Sequence, residues 1–261
     1  MCKQKKNEFI PCRSCPNLTK GGPAKGYYYD EVNGYQVIKE CSCHKKWRKE
    51  QELALKLEQS NIRPDYTFDN YVGTKSLRDL NALKTVAENP DRFLYKTMIY
   101  LYGPNSCQKT SMVQSLGKEL IMKDFTVMYT TMKDLISAII VGSETFEDPA
   151  KEDKDYLLKK CTECDFLIID EAFDKEKVKI YNSGYQIPYL DNFIRTRFEI
   201  GKKSIIFVSN KKQEEIESEG FGKSLQSLVE RNTRSSTLIF NDVWSVSKNS
   251  INRFGLFEGV R

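Results

Sequence analysis

Five short apolar segments of the chain are separated by longer stretches with helical patterns. They are MIYLY (98–102), TVMYTT (126–131), DFLIID (165–170), SIIFVS (204–209) and STLIF (236–240). Short buried runs that alternate with helices are typical of a parallel sheet, because each parallel connection needs a crossover that packs on a face of the sheet. The chain is therefore predicted to contain an α/β domain with a five-stranded parallel sheet. Ligands of such sheets bind at the carboxyl ends of the strands.

The segment around the end of the first predicted strand is similar to a phosphate-binding loop. YLYGPNSCQKTSM (100–112) has Gly103, Lys109 and Thr110 at the spacing of G-x-x-x-x-G-K-[ST], but Gln108 stands at the second glycine. Backbone N–H groups would surround a β-phosphate, Lys109 would reach the β- and γ-phosphate oxygens, and Thr110 would hold Mg²⁺. The helix predicted from KTSMVQSLGKELIM adds its positive end. The predicted cofactor-binding residues are Gly103, Pro104, Asn105, Ser106, Cys107, Gln108, Lys109, Thr110 and Ser111.

Two further strand ends complete the predicted nucleotide site. FLIIDEA (166–172) contains Asp170 and Glu171, of which one would lie close to Mg²⁺ and the other would orient or deprotonate an attacking water. IIFVSN ends in Asn210, a polar group placed to sense the γ-phosphate. Three elements in this order predict ATP binding and hydrolysis. Gln108 adds a side chain where the backbone must approach the phosphate closely, so binding without turnover stays an alternative.

The amino-terminal segment carries two close cysteine pairs, Cys12/Cys15 and Cys41/Cys43. They flank a Gly- and Tyr-rich stretch that is predicted to form a hairpin. Four thiolates at this spacing can close a tetrahedral, non-catalytic zinc site, and so short a segment has too few aliphatic residues to fold without one. His44 follows directly and is an alternative to one thiolate. The other interpretation is a loosely ordered tail with reduced cysteines.

A helix predicted over residues 45–60 should end before Pro64, because proline disfavours a helical conformation at the preceding residue. We therefore expect a zinc-binding module with a linker helix at 1–58 and an ATPase domain at 59–261. Cys161 and Cys164 form another close pair, but no second pair accompanies it, which favours buried thiols.

Charge and hydropathy narrow the classes of function. No apolar run approaches membrane-spanning length, and the start MCKQKKNEF lacks the apolar core of a signal peptide, so an intracellular protein is expected. The net charge of +5 is mild. Lysine and arginine nevertheless cluster at 44–49 and 195–203, which suits an anionic partner or, alternatively, a solvated surface.

Nearly the whole chain resembles the DnaC/DnaI-type replicative helicase loaders, which are AAA+ P-loop ATPases related to the IstB transposition ATPases. The residues that carry the resemblance include the amino-terminal cysteines and the motifs described above. Two longer stretches add to them, SNIRPDYTFDNY (60–71) and YLDNFIRTRFEIGKKSIIFVSN (189–210). The resemblance implies an AAA+ domain in which Asp170 and Glu171 are the Walker B pair and Asn210 is the first sensor.

The same resemblance implies that Arg231 is an arginine finger that completes the site of a neighbouring subunit, so that self-association is linked to ATP. Arg234 is the competing candidate, and an exposed helix residue without such a role is the plainer alternative for both. Loader-type binding of single-stranded DNA would use the basic residues Arg195, Arg197, Lys202 and Lys203. These residues could instead pack a helix against the sheet, and Phe198 is expected in the core.

The implied function is ATP-dependent loading of the hexameric replicative helicase onto single-stranded DNA, with ATP or ADP, Mg²⁺ and Zn²⁺ as cofactors. The zinc module would contact the helicase. The compact size and the divergent loop favour a phage-encoded member that acts in the bacterial cytoplasm of an infected host. The alternatives are an IstB-like transposition ATPase and a non-hydrolysing ATP-binding adaptor or inhibitor of the helicase.

Two further departures from the loader pattern have consequences for function. Residues 173–189 form a longer and more Tyr-rich connection than expected after the Walker B strand, which favours contact with a partner or with DNA. The family usually has an arginine shortly after the final strand, where this chain has NDVWSVSK. The second-sensor role is therefore unassigned, and Lys248 is a weak substitute.

Overall fold

The computed structural model describes residues 8–143, 151–178 and 184–242. The chain divides into two compact units, Met1–Lys56 and Leu57–Arg261. Within those described ranges, no helix combines the length and the apolar character needed to cross a membrane. Lys248 lies outside the described residues, as do positions 179–183 of the long connection after the Walker B strand.

The first unit is built on a β-hairpin. Its elements are α1 (Pro16–Lys20), β1 (Tyr27–Val32), β2 (Tyr35–Glu40) and the first part of α2 (Ser42–Gln59). The strands pair antiparallel with Val32 opposite Tyr35. Asn33 and Gly34 form the turn and both have positive φ, which matches the twist of the flanking strands. The predicted hairpin is confirmed.

A very small core supports this hairpin. Phe9, Cys15 and Cys41 are buried, and Trp47 packs against them. The ring of His44 lies between aromatic neighbours, with its centroid 4.7 Å from that of Phe9 and 5.5 Å from that of Trp47. A two-stranded hairpin is marginally stable by itself, and a core of this size adds little. A further cross-link would therefore contribute much of the stability of this unit.

The second unit contains the predicted five-stranded parallel sheet. Its strands are β3 (Met98–Tyr102), β4 (Val127–Thr131), β5 (Phe166–Asp170), β6 (Ser204–Ser209) and β7 (Thr237–Ile239). Their order across the sheet is β4-β5-β6-β3-β7, and every pair of neighbours is parallel. This confirms the α/β fold. The connection after β3 leads to the far edge of the sheet, so β3 is the point at which a ligand crevice is expected.

One helix precedes the first strand of this sheet, and the helices after it connect the strands. These helices are α3 (Leu77–Glu88), α4 (Lys109–Met122), α5 (Met132–Ser143), α6 (Lys151–Glu163), α7 (Gln186–Arg195) and α8 (Lys223–Thr233). Strands β5 and β6 are buried along their whole length, and β3 is buried except at Tyr102, which explains their near-continuous apolar sequences. Helix α4 coincides with the helix predicted to follow the phosphate loop.

The structure contradicts the prediction that Arg197 contacts DNA. Arg197 lies in the π-helical turn Thr196–Ile200 that extends α7, and it is only 2% exposed. Its guanidinium donates to five backbone carbonyls at 2.7–3.3 Å, those of Cys161, Thr162, Cys164, Asp165 and Ser204. The last carbonyls of α6 have no partner within the helix and require a donor. The Arg197 guanidinium supplies these donors, so Arg197 stabilises the fold and is not available to contact DNA.

Two other expectations for this region are confirmed. Phe198 is buried in the core, as expected, and so are Cys161 and Cys164. Burial raises the pKa of the Cys161 thiol to about 12, with a smaller contribution from Cys164. A thiol with so high a pKa stays protonated near neutral pH and is a poor nucleophile and a poor metal ligand.

Candidate nucleotide-binding site

The predicted phosphate loop connects β3 to α4 at the carboxyl edge of the sheet. Residues 105–111 line one open cavity together with Asp170, Glu171 and Asn210, so the structure brings most of the predicted site residues together. Gly103 begins the loop where no side chain would fit, because a Cβ there would lie 1.9 Å from the carbonyl oxygen of Phe240. The loop therefore has the position that the motif requires.

Lys109 connects the loop to the neighbouring strand end. Its Nζ lies 2.8 Å from the carbonyl oxygens of Gly103 and Pro104 and 3.0 Å from Oδ1 of Asn210. The residue is 7% exposed. An ammonium group in this place can exchange carbonyl oxygens for phosphate oxygens with little movement, and Asn210 already faces it from the end of β6.

Asp170 organises the oxygen ligands that a magnesium ion would use. Its Oδ2 accepts hydrogen bonds from the hydroxyls of Thr110 and Tyr129, both at 2.7 Å, and its Oδ1 accepts the N–H of Glu171 at 2.7 Å. A hydroxyl and a carboxylate side by side are the hard oxygen groups that suit Mg²⁺. The residues present therefore fit the predicted cofactor.

Sequence reasoning missed Tyr129. A tyrosine within an apolar strand is normally assigned to the core, and Tyr129 is the middle residue of β4. Burial raises the pKa of Tyr129 far above its usual range, and the charge of Asp170 and the hydrogen bond to it raise it further. The phenol is therefore a permanent donor that holds one oxygen of Asp170.

Glu171 follows Asp170 in an unusual backbone conformation. Its φ is +52°, in the left-handed region that residues with a side chain seldom adopt and that is enriched at functional sites. The neighbouring Ala172 N–H donates to the carbonyl of Val208 at 2.8 Å, which holds the segment after β5 against β6. Glu171 lines the same cavity as Lys109 and Asn210.

The sequence profile of the bacterial DnaA ATPase domain matches residues 62–232, more than half of the chain. The chain belongs to the bacterial DnaA ATPase family. The chromosomal replication initiator protein DnaA of Neisseria gonorrhoeae is 34% identical over 119 residues, which are 44% of this chain and 21% of the relative. The chain thus spans about a fifth of the length of this relative.

Solved DnaA structures share the fold of this DnaA-type domain. The match to domain III of the Thermotoga maritima replication initiation protein DnaA covers 74% of this chain and 73% of the domain III chain, with a TM-score of 0.54 and 22% identity. The match to a replication initiator DnaA bound to AMPPCP and single-stranded DNA covers 77% of this chain and 58% of the DnaA chain, with a TM-score of 0.55 and 18% identity. The comparisons thus show a DnaA-type ATPase domain, which is a broader assignment than the helicase loader that the resemblance implies.

Gln108 is accommodated in the DnaA-type domain by a contact that its sequence position did not reveal. Its φ is +66°, a conformation that glycine adopts without steric cost. The side-chain amide pairs with the backbone of Val72: Oε1 accepts the N–H at 3.1 Å and Nε2 donates to the carbonyl at 2.7 Å. These two hydrogen bonds offset the backbone strain and keep the loop in the form that a second glycine would allow.

We expect Gln108→Gly to keep ATP affinity, because glycine adopts the same φ freely, although the bonds to Val72 are lost. Gln108→Val should weaken ATP binding by roughly tenfold, because a β-branched residue at positive φ strains the loop. Titration of both variants with a fluorescent ATP analogue measures the difference. Equal ATP affinities for the two variants would contradict the prediction, because they would show that backbone strain at position 108 does not affect ATP binding.

Arg231 lies on α8 with its side chain 67% exposed and its Nη2 3.3 Å from Oε1 of Glu199. This exposure leaves it accessible to a second molecule, and its role as an arginine finger stays a prediction. The competing Arg234 is also exposed.

The three other basic residues proposed for DNA binding differ in their surroundings. Arg195 pairs with Asp191 at 3.0 Å, Lys203 lies 3.3 Å from Asp165, and Lys202 is exposed. Lys202 and Lys203 precede β6, whereas Asn210 follows it. Since all strands of the sheet are parallel, these two lysines lie at the edge opposite the nucleotide cavity.

In the first unit, three of the four predicted metal ligands come together. The Sγ atoms of Cys15, Cys41 and Cys43 lie 2.7–3.6 Å from one another, and all three thiols are free. Three sulfur atoms in such proximity form one face of a tetrahedral zinc site, so the donor set fits this metal. Cys12 is outside the cluster, because its exposed thiol faces Ser14 at 3.8 Å.

The fourth ligand therefore stays open between two residues. The alternative, His44, has its Nδ1 2.8 Å from a carboxylate oxygen of Glu40, which leaves Nε2 as the nitrogen that could bind a metal. Cys12 would need to turn its side chain from the surface toward Cys15.

Proposed function

We propose that this chain is an ATP-dependent loader of the replicative helicase onto single-stranded DNA during replication initiation. The observation that carries the proposal is the meeting of two pairs in one cavity, Lys109 with Asn210 and Thr110 with Asp170, in a domain of the DnaA ATPase family. Lys109 and the loop N–H groups would bind the phosphates of ATP or ADP. Thr110 would hold Mg²⁺ with Asp170 close by, and the ion would neutralise phosphate charge.

Hydrolysis would use Glu171 to take a proton from the attacking water and Arg231 of a neighbouring subunit to stabilise charge on the γ-phosphate. Self-association would thus be linked to ATP, and hydrolysis would reset the loader.

The DnaA relative bound to both AMPPCP and single-stranded DNA supports DNA as a partner. Arg195, Lys202 and Lys203 remain the proposed contacts, of which Lys202 is the most exposed. We place the protein in the bacterial cytoplasm.

The module at 1–58 would bind Zn²⁺ and contact the helicase, while 59–261 would act as the ATPase domain. The thiol cluster and the very small hydrophobic core of the first unit support the metal. We expect the purified protein to carry one Zn²⁺. Cys43→Ser should lose the ion, because without the Cys43 thiolate too few ligands remain to close a tetrahedral site. Cys164→Ala is the matched control and should retain the metal.

Elemental analysis and chelator-induced unfolding measure these changes. Comparison of Cys12→Ser with His44→Ala then identifies the fourth ligand, since the variant of the true ligand should lose Zn²⁺ at a lower chelator concentration. A wild-type protein that is purified from zinc-supplemented medium and contains no zinc would contradict the proposal for this module.

The function is tested by ATP turnover of the wild-type protein alone, with single-stranded DNA and with a replicative helicase. Lys109→Ala should abolish nucleotide binding, whereas Arg231→Ala should keep binding and lose turnover. Arg234→Ala is the matched control for the arginine finger. A protein that binds ATP under all these conditions and never cleaves it would instead be an ATP-binding adaptor, the alternative that the sequence left open at Gln108.

A further inference from the structure

The cavity contains a cation that neither the motifs nor the family assignment bring out. Lys177 lines it together with Lys109, Thr110 and Asn210, and its Nζ lies 3.6 Å from Oε1 of Glu171. We propose that Lys177 is a second phosphate-binding cation of this site, for which the γ-phosphate of a nucleoside triphosphate competes with Glu171. The inference rests on the proposed ATPase function and extends it to the way in which the site distinguishes ATP from ADP.

The backbone around Lys177 is held by a short turn after β5. The carbonyl oxygen of Asp174 accepts the N–H groups of Lys177 and Val178, both at 3.0 Å, and its carboxylate accepts the N–H of Glu176 at 3.0 Å. Asp174 and Val178 are 4% and 2% exposed, so both ends of the turn are anchored in the core. The position of the Lys177 backbone is therefore fixed, and only its flexible side chain has to move between two partners.

This turn is linked to the residues that would surround the γ-phosphate. Oδ2 of Asp174 lies 3.5 Å from Nδ2 of Asn210, and Oδ1 of Asn210 lies 3.0 Å from Nζ of Lys109. Contacts thus continue from the phosphate loop through the end of β6 to the turn that carries Lys177. A phosphate that displaces Asn210 from Lys109 would therefore also change the contact between Asn210 and Asp174 in this turn.

The charge and the exposure of the two side chains favour this competition. The side chains of Lys177 and Glu171 are 46% and 42% exposed, so their ion pair is weakened by solvent and is easily exchanged. A γ-phosphate offers more negative charge and three acceptor oxygens, which bind an ammonium group more strongly than one carboxylate does. ADP lacks this group and leaves Lys177 with Glu171.

The exchange has a direct consequence for the reaction. While Lys177 is paired with Glu171, its ammonium group occupies a carboxylate oxygen that the attacking water needs, and that oxygen becomes available when Lys177 moves to the phosphate. Water oxygen then bonds to the γ-phosphorus as the bond to the bridging oxygen of ADP breaks and ADP leaves with the electron pair. The proton of the water passes to Glu171. Lys177 would thus both bind the triphosphate and release the base only when the triphosphate is present.

The test is calorimetric titration of the full chain with Mg²⁺ and either AMPPCP or ADP. Lys177→Ala should weaken AMPPCP binding by roughly tenfold and leave ADP binding unchanged, because one charge-assisted contact to the γ-phosphate is lost. Lys177→Arg should restore most of the AMPPCP affinity. The matched control is Lys175→Ala, which removes an exposed lysine of the same segment that does not line the cavity and should change neither affinity.

A double variant separates a direct contact from an effect on folding. Glu171→Gln should tighten AMPPCP binding by freeing Lys177, and the gain should disappear when Lys177→Ala is added. The inference is overturned if Lys177→Ala changes the affinities for AMPPCP and ADP by the same factor, or changes neither. If the wild-type protein binds neither nucleotide, the proposed ATPase function fails as well, so the two failures are distinct.

Discussion

Asp170→Asn should lower Mg²⁺-dependent ATP turnover by roughly a hundredfold, the upper range for loss of a group that orients a metal site. In the structure both carboxylate oxygens accept hydrogen bonds, one from Thr110 and Tyr129 and the other from the Glu171 N–H. An amide offers one accepting oxygen and places an NH₂ group opposite one of these donors. It also removes the negative charge that would stabilise Mg²⁺ if the ion were held by the Thr110 hydroxyl.

Turnover at saturating ATP over a range of Mg²⁺ concentrations measures the effect. The matched control is Asp165→Asn, which changes an aspartate that immediately precedes the same strand at the opposite edge of the sheet. This control should retain turnover, although it loses part of its bonding to Thr126. Turnover of Asp170→Asn close to that of wild type would show that another group organises the metal, and the proposed site would then be wrong.

Arg197→Leu should lower the free energy of unfolding by roughly 3 kcal/mol or more, because each buried acceptor left without a donor costs about 1–3 kcal/mol. Five backbone carbonyls depend on this guanidinium, and most belong to the end of α6 and the segment that enters β5. Leucine can fill part of the volume but donates no hydrogen bond. We therefore expect a protein that is soluble only at low temperature or is partly unfolded.

Urea denaturation followed by circular dichroism measures this loss. Arg195→Leu is the matched control two residues earlier, and its partly exposed ion pair with Asp191 should contribute only about 1 kcal/mol or less. If both variants unfold at the same urea concentration, water must replace the Arg197 donors. The assignment of Arg197 to the fold rather than to DNA would then need revision.

The sheet could be predicted closely because its strands are buried on both faces. The segment 98–102 coincides with β3 and 204–209 with β6, whereas 236–240 shortens to Thr237–Ile239. Continuous apolar runs of this length have few other stable solutions in an α/β domain. The phosphate loop was predictable for a similar reason, since Gly103, Lys109 and Thr110 are tied to a local strand-to-helix geometry.

The basic segment shows where sequence reasoning fails. Arg195 and Arg197 have the same charge and lie two residues apart, yet one is at the surface and the other is buried. The helix α7 passes into a π-helical turn at Thr196, which shifts the direction of the following side chains away from α-helical spacing. Four of the five carbonyls that accept from Arg197 lie more than thirty residues away in the chain.

The sequence by itself determined the elements whose geometry is local: the strands, the phosphate loop with its helix, the hairpin and the spacing of the cysteines. The tertiary structure decided which distant groups meet. Tyr129 reaches Asp170 because β4 lies beside β5, and Gln108 is held by Val72, which is 36 residues away in the chain. The physical reason is that these contacts depend on the order of the strands and on the path of the connections, which the pattern of neighbouring residues does not encode.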